Sequence, residues 1–421
     1  MITILCSGSR GDIQPYIALA VELKRLGKQV RIAAGKSFGS FITGCGVEHY
    51  PLGMDYQSVE VDPKLLEAAR SSTNPLKMLF TFNKMKQYSR LMVDEMYEAC
   101  LGSEALVYHP GCTVAYFAGE QMGIPSVMAS PFPMLKTREV PSVIAYGKTR
   151  MPVTLSYNML QGMLWMASRT GVMLYWKEKF GRLPEGFDCP FERVDERHPS
   201  LVSCSNYVFP RPKDWSPHVH QSGYWFMEEQ GDYTPSQALS DFLEQGEKPV
   251  YFGFGSVFRP EEQRAFIGYV AEALAQTGKR GILCGMGNIE HLPQNLFAIE
   301  SAPHTWLFPR CLAVCHHGGA GTTAAGFAAG VPSIIVPFSN DQFAWAHRSY
   351  DIGAGAKPVY KKRLSGEALG QAIRYALSDA VVAKARKLGE QLAGETGAKD
   401  CAAVIAALTG PRAERNREKR A

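Results

Sequence analysis

The 421-residue chain is 46% hydrophobic and 20% charged, a balance that excludes wholesale disorder and at this length suggests two domains. The net charge is +5, of which the stretch 411–421 supplies three through Arg412, Arg415, Arg417, Lys419 and Arg420 against Glu414 and Glu418. The rest of the chain is close to neutral, which argues against a nucleic-acid binder.

Ten cysteines are spread without a Cys-x-x-Cys pair, and no apolar run reaches the ~20 residues of a transmembrane helix. A first strand is expected at once, in Thr3–Cys6, with no basic leader or cleavage site ahead of it. These features predict a cytoplasmic protein with reduced thiols. Ser7–Asp12 reads as a turn. The spacing of Ile17, Leu19, Ala20, Leu23 and Leu26 predicts a helix over 15–26, closed by Gly27. Further elements follow as a strand at Gln29–Ala33, a strand at Ala105–Tyr108, a helix near Thr113–Gln121, and a strand at Pro125–Ala129. Strand, helix and strand in this order predict an α/β fold with a parallel sheet and helices on both faces. Over 151–180, five methionines (Met151, Met159, Met163, Met166, Met173) stand among Trp165, Tyr175 and Trp176. This reads either as a buried amphipathic helix or as an adaptable apolar wall for a greasy ligand.

Prolines cluster in Phe209–Pro217, where periodicity stops, and this segment is read as a linker. A second alternating run follows: strands at Pro249–Phe254, Gly281–Cys284, Ala313–Cys315 and Ser333–Val336, with helices at Glu261–Gln276 and Thr322–Ala329. Two α/β halves therefore succeed one another. Ligands of such sheets bind beyond the carboxyl ends of the strands, and the cleft between the halves is the expected active site.

His316–Thr323 carries the most chemistry. It follows a strand and opens a helix, and its glycines Gly318, Gly319 and Gly321 let backbone approach a ligand. A helix start offers free N–H groups and partial positive charge, which suits a diphosphate, and a histidine there can donate a further bond. No Gly-Lys-Ser/Thr follows, so it is no Walker loop, and packing is the alternative reason for the glycines. The adjacent histidines lack metal-ligand spacing. Asp341 and Gln342 can hold sugar hydroxyls, although Asp341 also suits a helix N-cap. Ser256, in a strand-to-turn exit, suits either a phosphate contact or a tight turn. Asp12 suits either an N-cap or a general base.

These residues bring a family into view. The chain resembles glycosyltransferase family 1, of the GT-B fold, in which two Rossmann-like domains face each other across a cleft. It looks most like sterol 3β-glucosyltransferases, with glycopeptide-antibiotic glycosyltransferases next. The resemblance covers nearly the whole chain and is carried by 8–16, 131–138, 223–226, 251–256, 303–310, 316–323 and 337–342. It implies an N-terminal acceptor domain over 1–208, a linker over 209–217, a C-terminal nucleotide-sugar domain over 218–410, and a disordered basic tail from 411. It implies that Ala302 and His304 border the base. It also implies that His316, Gly318, Gly319, Ala320, Gly321, Thr322 and Ser256 hold the diphosphate, and that Asp341 and Gln342 hold the sugar. Asp12 falls where plant members carry a catalytic histidine and where sterol and antibiotic enzymes carry an aspartate. Plant members stack the base on a tryptophan at the position of Ser301, so this chain departs from them there.

The expected reaction is an inverting transfer of a hexose, glucose from UDP-glucose, to a hydroxyl of a sterol, terpenoid or polyketide. Asp12 would act as base without a metal, and no Asp-x-Asp motif is present. Ser9, Arg10, Phe132, Arg138, Met159 and Met163 are the candidate acceptor contacts. No cofactor is expected, since the nucleotide sugar is a substrate. The expected partners are that sugar and the lipophilic acceptor, with no nucleic acid, and with peripheral membrane contact through the basic tail as an alternative to a solvated end. A sugar-nucleotide epimerase of the same fold and a non-catalytic lipid-binding relative are the competing readings. An oxidoreductase is disfavoured because no Gly-x-Gly-x-x-Gly follows a strand.

Overall fold

The computed structural model describes residues 1–53, 86–147, 151–227, 233–255, 258, 260–287, 289, 291–339 and 341–409. Its contacts divide the chain into two compact units. Unit 1 comprises 1–142, 151–228 and 396–421, and unit 2 comprises 143–150 and 229–395.

Unit 1 begins with β1 (Ile2–Leu5), four apolar or β-branched residues that are all buried. After it come α1 (Arg10–Arg25), β2 (Val30–Gly35), the short α2 (Gly39–Gly44) and β3 (Glu48–Leu52). Next are α3 (Lys86–Cys100), β4 (Ala105–Tyr108), α4 (Val114–Met122), β5 (Ser126–Ser130) and the long α5 (Val153–Phe180). The strands β6 (Ser200–Val202) and β7 (Val219–Gln221) complete a sheet in the order β3-β2-β1-β4-β5-β6-β7, parallel throughout. Continuous burial on both faces is why the central strands β1, β4 and β5 read as largely apolar runs. Ile2, Ile4, Ile32, Val107 and Val127 face a core closed by α1, whose Ile13, Ile17, Ala20 and Leu23 pack into it.

Two features of unit 1 differ from expectation. First, α1 starts at Arg10 rather than at Pro15, so Pro15 lies inside the helix. An interior proline removes one N–H and costs about 3 kcal/mol. The early start is favoured by Ser9 and Asp12, whose side chains close the amino end of the helix. Second, residues 209–217 lie within unit 1, because β7 follows them and pairs with β6. Apart from the short excursion 143–150, the chain leaves unit 1 only after residue 228.

Unit 2 holds α6 (Gln237–Glu244), β8 (Val250–Gly253), α7 (Pro260–Thr277), β9 (Gly281–Cys284) and β10 (Leu296–Ile299). It continues with α8 (His304–Leu307), β11 (Ala313–His316), α9 (Ala320–Ala328), β12 (Ser333–Ile335), α10 (Gln342–Asp351), α11 (Gly366–Ala376) and α12 (Asp379–Leu392). The strand order is β10-β9-β8-β11-β12, again parallel. The faces alternate with period two. Val250 and Phe252 pack under α7 and α11, whereas Tyr251 between them packs with Phe308 and Leu307 on the other side. The chain then returns to unit 1, where α13 (Ala398–Leu408) buries Ala398, Cys401, Ala402 and Ile405 against α1. All ten cysteines are free.

Candidate active site

In unit 1 the chain runs outward from β1 to β3 and then returns to β4 on the other side of β1. In unit 2 it runs from β8 to β10 and returns to β11 beside β8. Each reversal leaves two loops diverging at the carboxyl ends of adjacent strands, the crevice where open α/β sheets bind ligands. Asp12 follows β1 and His316 ends β11, so the two strongest candidates each stand at a switch point.

At the unit 1 switch point, Asp12 sits in the first turn of α1. Its Oδ2 accepts bonds from the Ser9 N–H (2.7 Å) and the Ser9 hydroxyl (2.9 Å). Ser9 is thus the N-cap, and Asp12 is not a cap itself but the N3 partner of a capping box, which uses one oxygen of its carboxylate. Gly8, with φ +132, allows the close approach, since a Cβ there would stand 2.4 Å from Oδ2. Ser9 and Arg10 are exposed beside it, and the Arg10 guanidinium lies 4.6 Å over the Phe41 ring. Phe132, just after β5, is half-buried at the same end of the sheet. Arg138 is exposed, its backbone N–H donating to Asp214 at 2.9 Å. Met159 and Met163 are 44% and 37% exposed on α5, so they do not form an enclosed wall within unit 1.

The structure adds His109, which the sequence reading passed over. It follows β4, and its backbone N–H donates to the Leu5 carbonyl at the end of β1. Its Nδ1 accepts the Gly111 N–H at 3.1 Å, which puts the neutral ring's proton on Nε2. Its ring meets the edge of Tyr16, one turn beyond Asp12 on the same face of α1. Burial lowers the imidazole below its usual range, and the Asp12 carboxylate pulls it partly back. Only the succession of strand and histidine could have marked it, and that pattern is too common to do so.

At the unit 2 switch point, His316 is fully buried, and its Nδ1 accepts the Gly318 N–H at 3.0 Å. The remaining proton is on Nε2, which is buried and has no partner among the described residues. Burial, reinforced by His317 and His304, holds the imidazole well below its ordinary pKa. At neutral pH it is thus an uncharged donor, and an acceptor for it would be worth ~1–3 kcal/mol.

The glycines divide by cause. Gly318 has φ +91, and a Cβ would stand 2.7 Å from Ile335, so folding alone demands it. At Gly319 a Cβ would stand 2.7 Å from the His317 ring, whereas at Gly321 it would meet nothing within 4 Å. Ala320, Gly321 and Thr322 form the first turn of α9, which no described side chain caps. Their N–H groups and the helix dipole favour an anion there.

Asp341 holds the N-cap position of α10 but makes no cap bond, and its Oδ2 instead accepts the Trp345 indole N–H at 2.8 Å. Gln342 Oε1 accepts the N–H groups of Phe338 (2.9 Å) and Ser339 (3.1 Å), which orients its amide. The His304 ring stacks on Phe308 at 4.3 Å, next to half-buried Ala302. Ser256 lies outside the described residues, as does the tail 410–421. Among the described residues no His, Cys, Asp and Glu cluster could hold a metal ion. A cavity of about 640 Å³ lined by Lys248, Lys279, Pro332 and Arg386 sits at the amino ends of the unit 2 strands, the end opposite that unit's switch point.

Paired parallel sheets of this kind are the GT-B architecture. The solved glycosyltransferase of kitacinnamycin superposes with a TM-score of 0.72 at 19% identity, over 97% of this chain and 98% of that one. Residues 2–141 match the glycosyltransferase family 28 N-terminal domain, and residues 285–408 match the erythromycin biosynthesis protein CIII-like C-terminal domain. A 6-deoxyallosyltransferase of O-mycaminosyltylonolide from Streptomyces fradiae is 33% identical over 96% of both chains. A sterol 3-beta-glucosyltransferase of Arabidopsis thaliana is also 33% identical, over 94% of this chain and 66% of its own length. The chain belongs to this family of glycosyltransferases.

Proposed function

We propose that the chain transfers a hexose, with inversion, from a nucleoside diphosphate sugar to the hydroxyl of a lipophilic alcohol of the sterol or polyketide type. Glucose and uridine are the expected sugar and nucleoside. The observation that carries the reading is the buried, unpartnered Nε2–H of His316 beside the open first turn of α9. A diphosphate supplies what both lack, namely acceptor oxygens and negative charge.

In this reading Nε2–H of His316 and the N–H groups of Ala320, Gly321 and Thr322 bind the diphosphate. They stabilise the charge that grows on it as the sugar departs. The Gln342 amide NH2 and Asp341 hold sugar hydroxyls, and Ala302 and His304 border the base. Asp12 keeps Oδ2 on Ser9 and uses Oδ1 to take the proton of the acceptor hydroxyl as its oxygen attacks the anomeric carbon. The bond to the diphosphate breaks as the new glycosidic bond forms, and the step calls on no metal. Phe132, Arg10 and Arg138 belong to the acceptor side. The sterol and macrolide relatives support a greasy acceptor.

The test is mass spectrometry of reactions pairing UDP-glucose, dTDP-glucose or no donor with sterol, flavonoid and macrolide acceptors. A product one hexose heavier supports the reading. Asp12→Asn is expected to lower its rate by about 10²–10⁴-fold while nucleotide binding persists. Isomerised donor without transfer, or normal turnover in Asp12→Asn, overturns the assignment.

A further inference from the structure

Helix α5 is apolar on both sides. Its inner side places Tyr157, Trp165, Tyr175 and Trp176 in the core of unit 1. Such a helix is ordinarily buried all round, yet its other side is open. Leu155, Met159, Met163, Met166 and Leu174 are each 36–48% exposed. They follow one another at steps of four, four, three and eight residues, which keeps them on a single face. The stripe runs about 29 Å along the helix at 1.5 Å per residue. Lys177 continues its register and Arg169 flanks it, both exposed. The helix holds no acidic residue before Glu178, which is paired with Arg90.

We propose that this face docks on the surface of a lipid bilayer, with its methionines and leucines among the acyl chains and its basic residues at the headgroups. Three observations favour a bilayer over a second copy of the chain. The stripe covers only about 300 Å² at a helix width of about 10 Å, well below the ~800 Å² per partner of a stable dimer. Its flexible side chains suit an irregular surface. The exposed cations at its rim, Arg169 and Lys177, complement anionic lipid, and the nearby Glu178 is already paired with Arg90. No described helix is long and apolar enough to cross a membrane, α5 included, so the contact is one of lying on the surface. The inference rests on the lipophilic acceptor proposed above, since a bilayer is where such an alcohol dissolves.

The experiment is flotation of the full chain with phosphatidylcholine vesicles, with and without phosphatidylglycerol, in low and high salt. The chain is expected to float, more strongly with the anionic lipid, and to remain partly bound in high salt, where purely ionic contact fails. Met166→Gln with Leu174→Gln is expected to lower the bound fraction about tenfold and to leave UDP binding by calorimetry unchanged. Leu155→Gln, elsewhere on the same face, gives an independent reading if the double variant misfolds.

Absence of flotation, loss of all binding in high salt, or equal flotation of the variants overturns the proposal. So does light scattering that shows a dimer which the variants dissolve. Flotation uses neither donor nor acceptor. A chain that floats but transfers no sugar therefore refutes only the proposed function. A chain that glycosylates a detergent-dissolved sterol but does not float refutes only the docking.

Discussion

The two nitrogens of His316 have separate duties, and substitution can separate them. Nδ1 accepts the Gly318 N–H and so shapes the turn, while Nε2–H is the donor that the proposed diphosphate would meet. Asparagine places an acceptor near Nδ1 and has nothing at Nε2. Glutamine does the reverse. His316→Asn should therefore keep the turn and lose the phosphate bond. A hydrogen bond to a charged group is worth about 1.5–3 kcal/mol, so its loss weakens nucleotide binding by roughly 10- to 150-fold. Stability should fall only slightly, because the Gly318 bond is kept and one unpartnered buried donor is exchanged for another, the asparagine NH2. His316→Gln should retain more affinity but melt earlier, since the buried Gly318 N–H is left without its acceptor, at a cost of about 1–3 kcal/mol. Calorimetry with UDP and with dTDP gives the affinities, and scanning calorimetry gives Tm. If His316→Asn binds both nucleotides as tightly as the parent, the diphosphate does not meet Nε2 and the donor site lies elsewhere.

The glycines of the same loop should also separate. Gly318→Ala forces a side chain into left-handed backbone and against Ile335, and should cost about 1–3 kcal/mol in thermal stability. Gly321→Ala meets open space, so Tm should hold while UDP affinity falls. Acid should be the sensitive direction for the whole fold. His109, His198, His220, His316 and His317 are all lowered by burial. Each binds its proton more readily in the unfolded chain, so their contribution is complete above the unfolded value of about 6.5 and is lost as pH falls through the folded values. Tm measured from pH 8 to pH 5 should drop below about 6.5, and a flat profile would contradict the burial of these rings. In Asp12→Asn the His109 titration, followed by NMR, should move further down, because the carboxylate that raises it is gone.

Local chemistry carried some features of the chain in plain view, and others depend on distant partners. The central strands were legible because burial on both faces demands unbroken apolar runs such as Ile2–Leu5 and Val250–Gly253. The start of α1 was misplaced because Pro15 is a strong local signal, whereas the cap that overrides it needs Ser9 and Asp12 in one geometry. Residues 209–217 read as a linker because prolines interrupt periodicity, but the three-residue β7 exists only through its pairing with β6. In the loop after β11 the sequence marked His316 and Gly318–Thr322 without saying which glycine served the fold. The positive φ of Gly318 and the empty space at Gly321 supply that answer. For Asp341, spacing favoured a cap and the structure shows a carboxylate turned to Trp345. His109 gains meaning only from Asp12 and Tyr16, nearly a hundred residues away.

The return of α13 to α1 has a consequence for how the protein is made. Ile13, Ile17 and Leu23 are made early, on α1, yet the core they share is completed by Ala398, Cys401 and Ile405. Unit 1 therefore emerges first and is finished last, with all of unit 2 synthesised in between. Domains tend to fold as they appear, the amino-terminal one earliest. Here the helix that carries Asp12 waits through more than 350 residues of elongation with part of its apolar flank uncovered. That interval is when the nascent chain is most exposed to chaperones and to aggregation. A chain released before α13 would hold all of unit 2 and leave the helix of Asp12 without its closing partner.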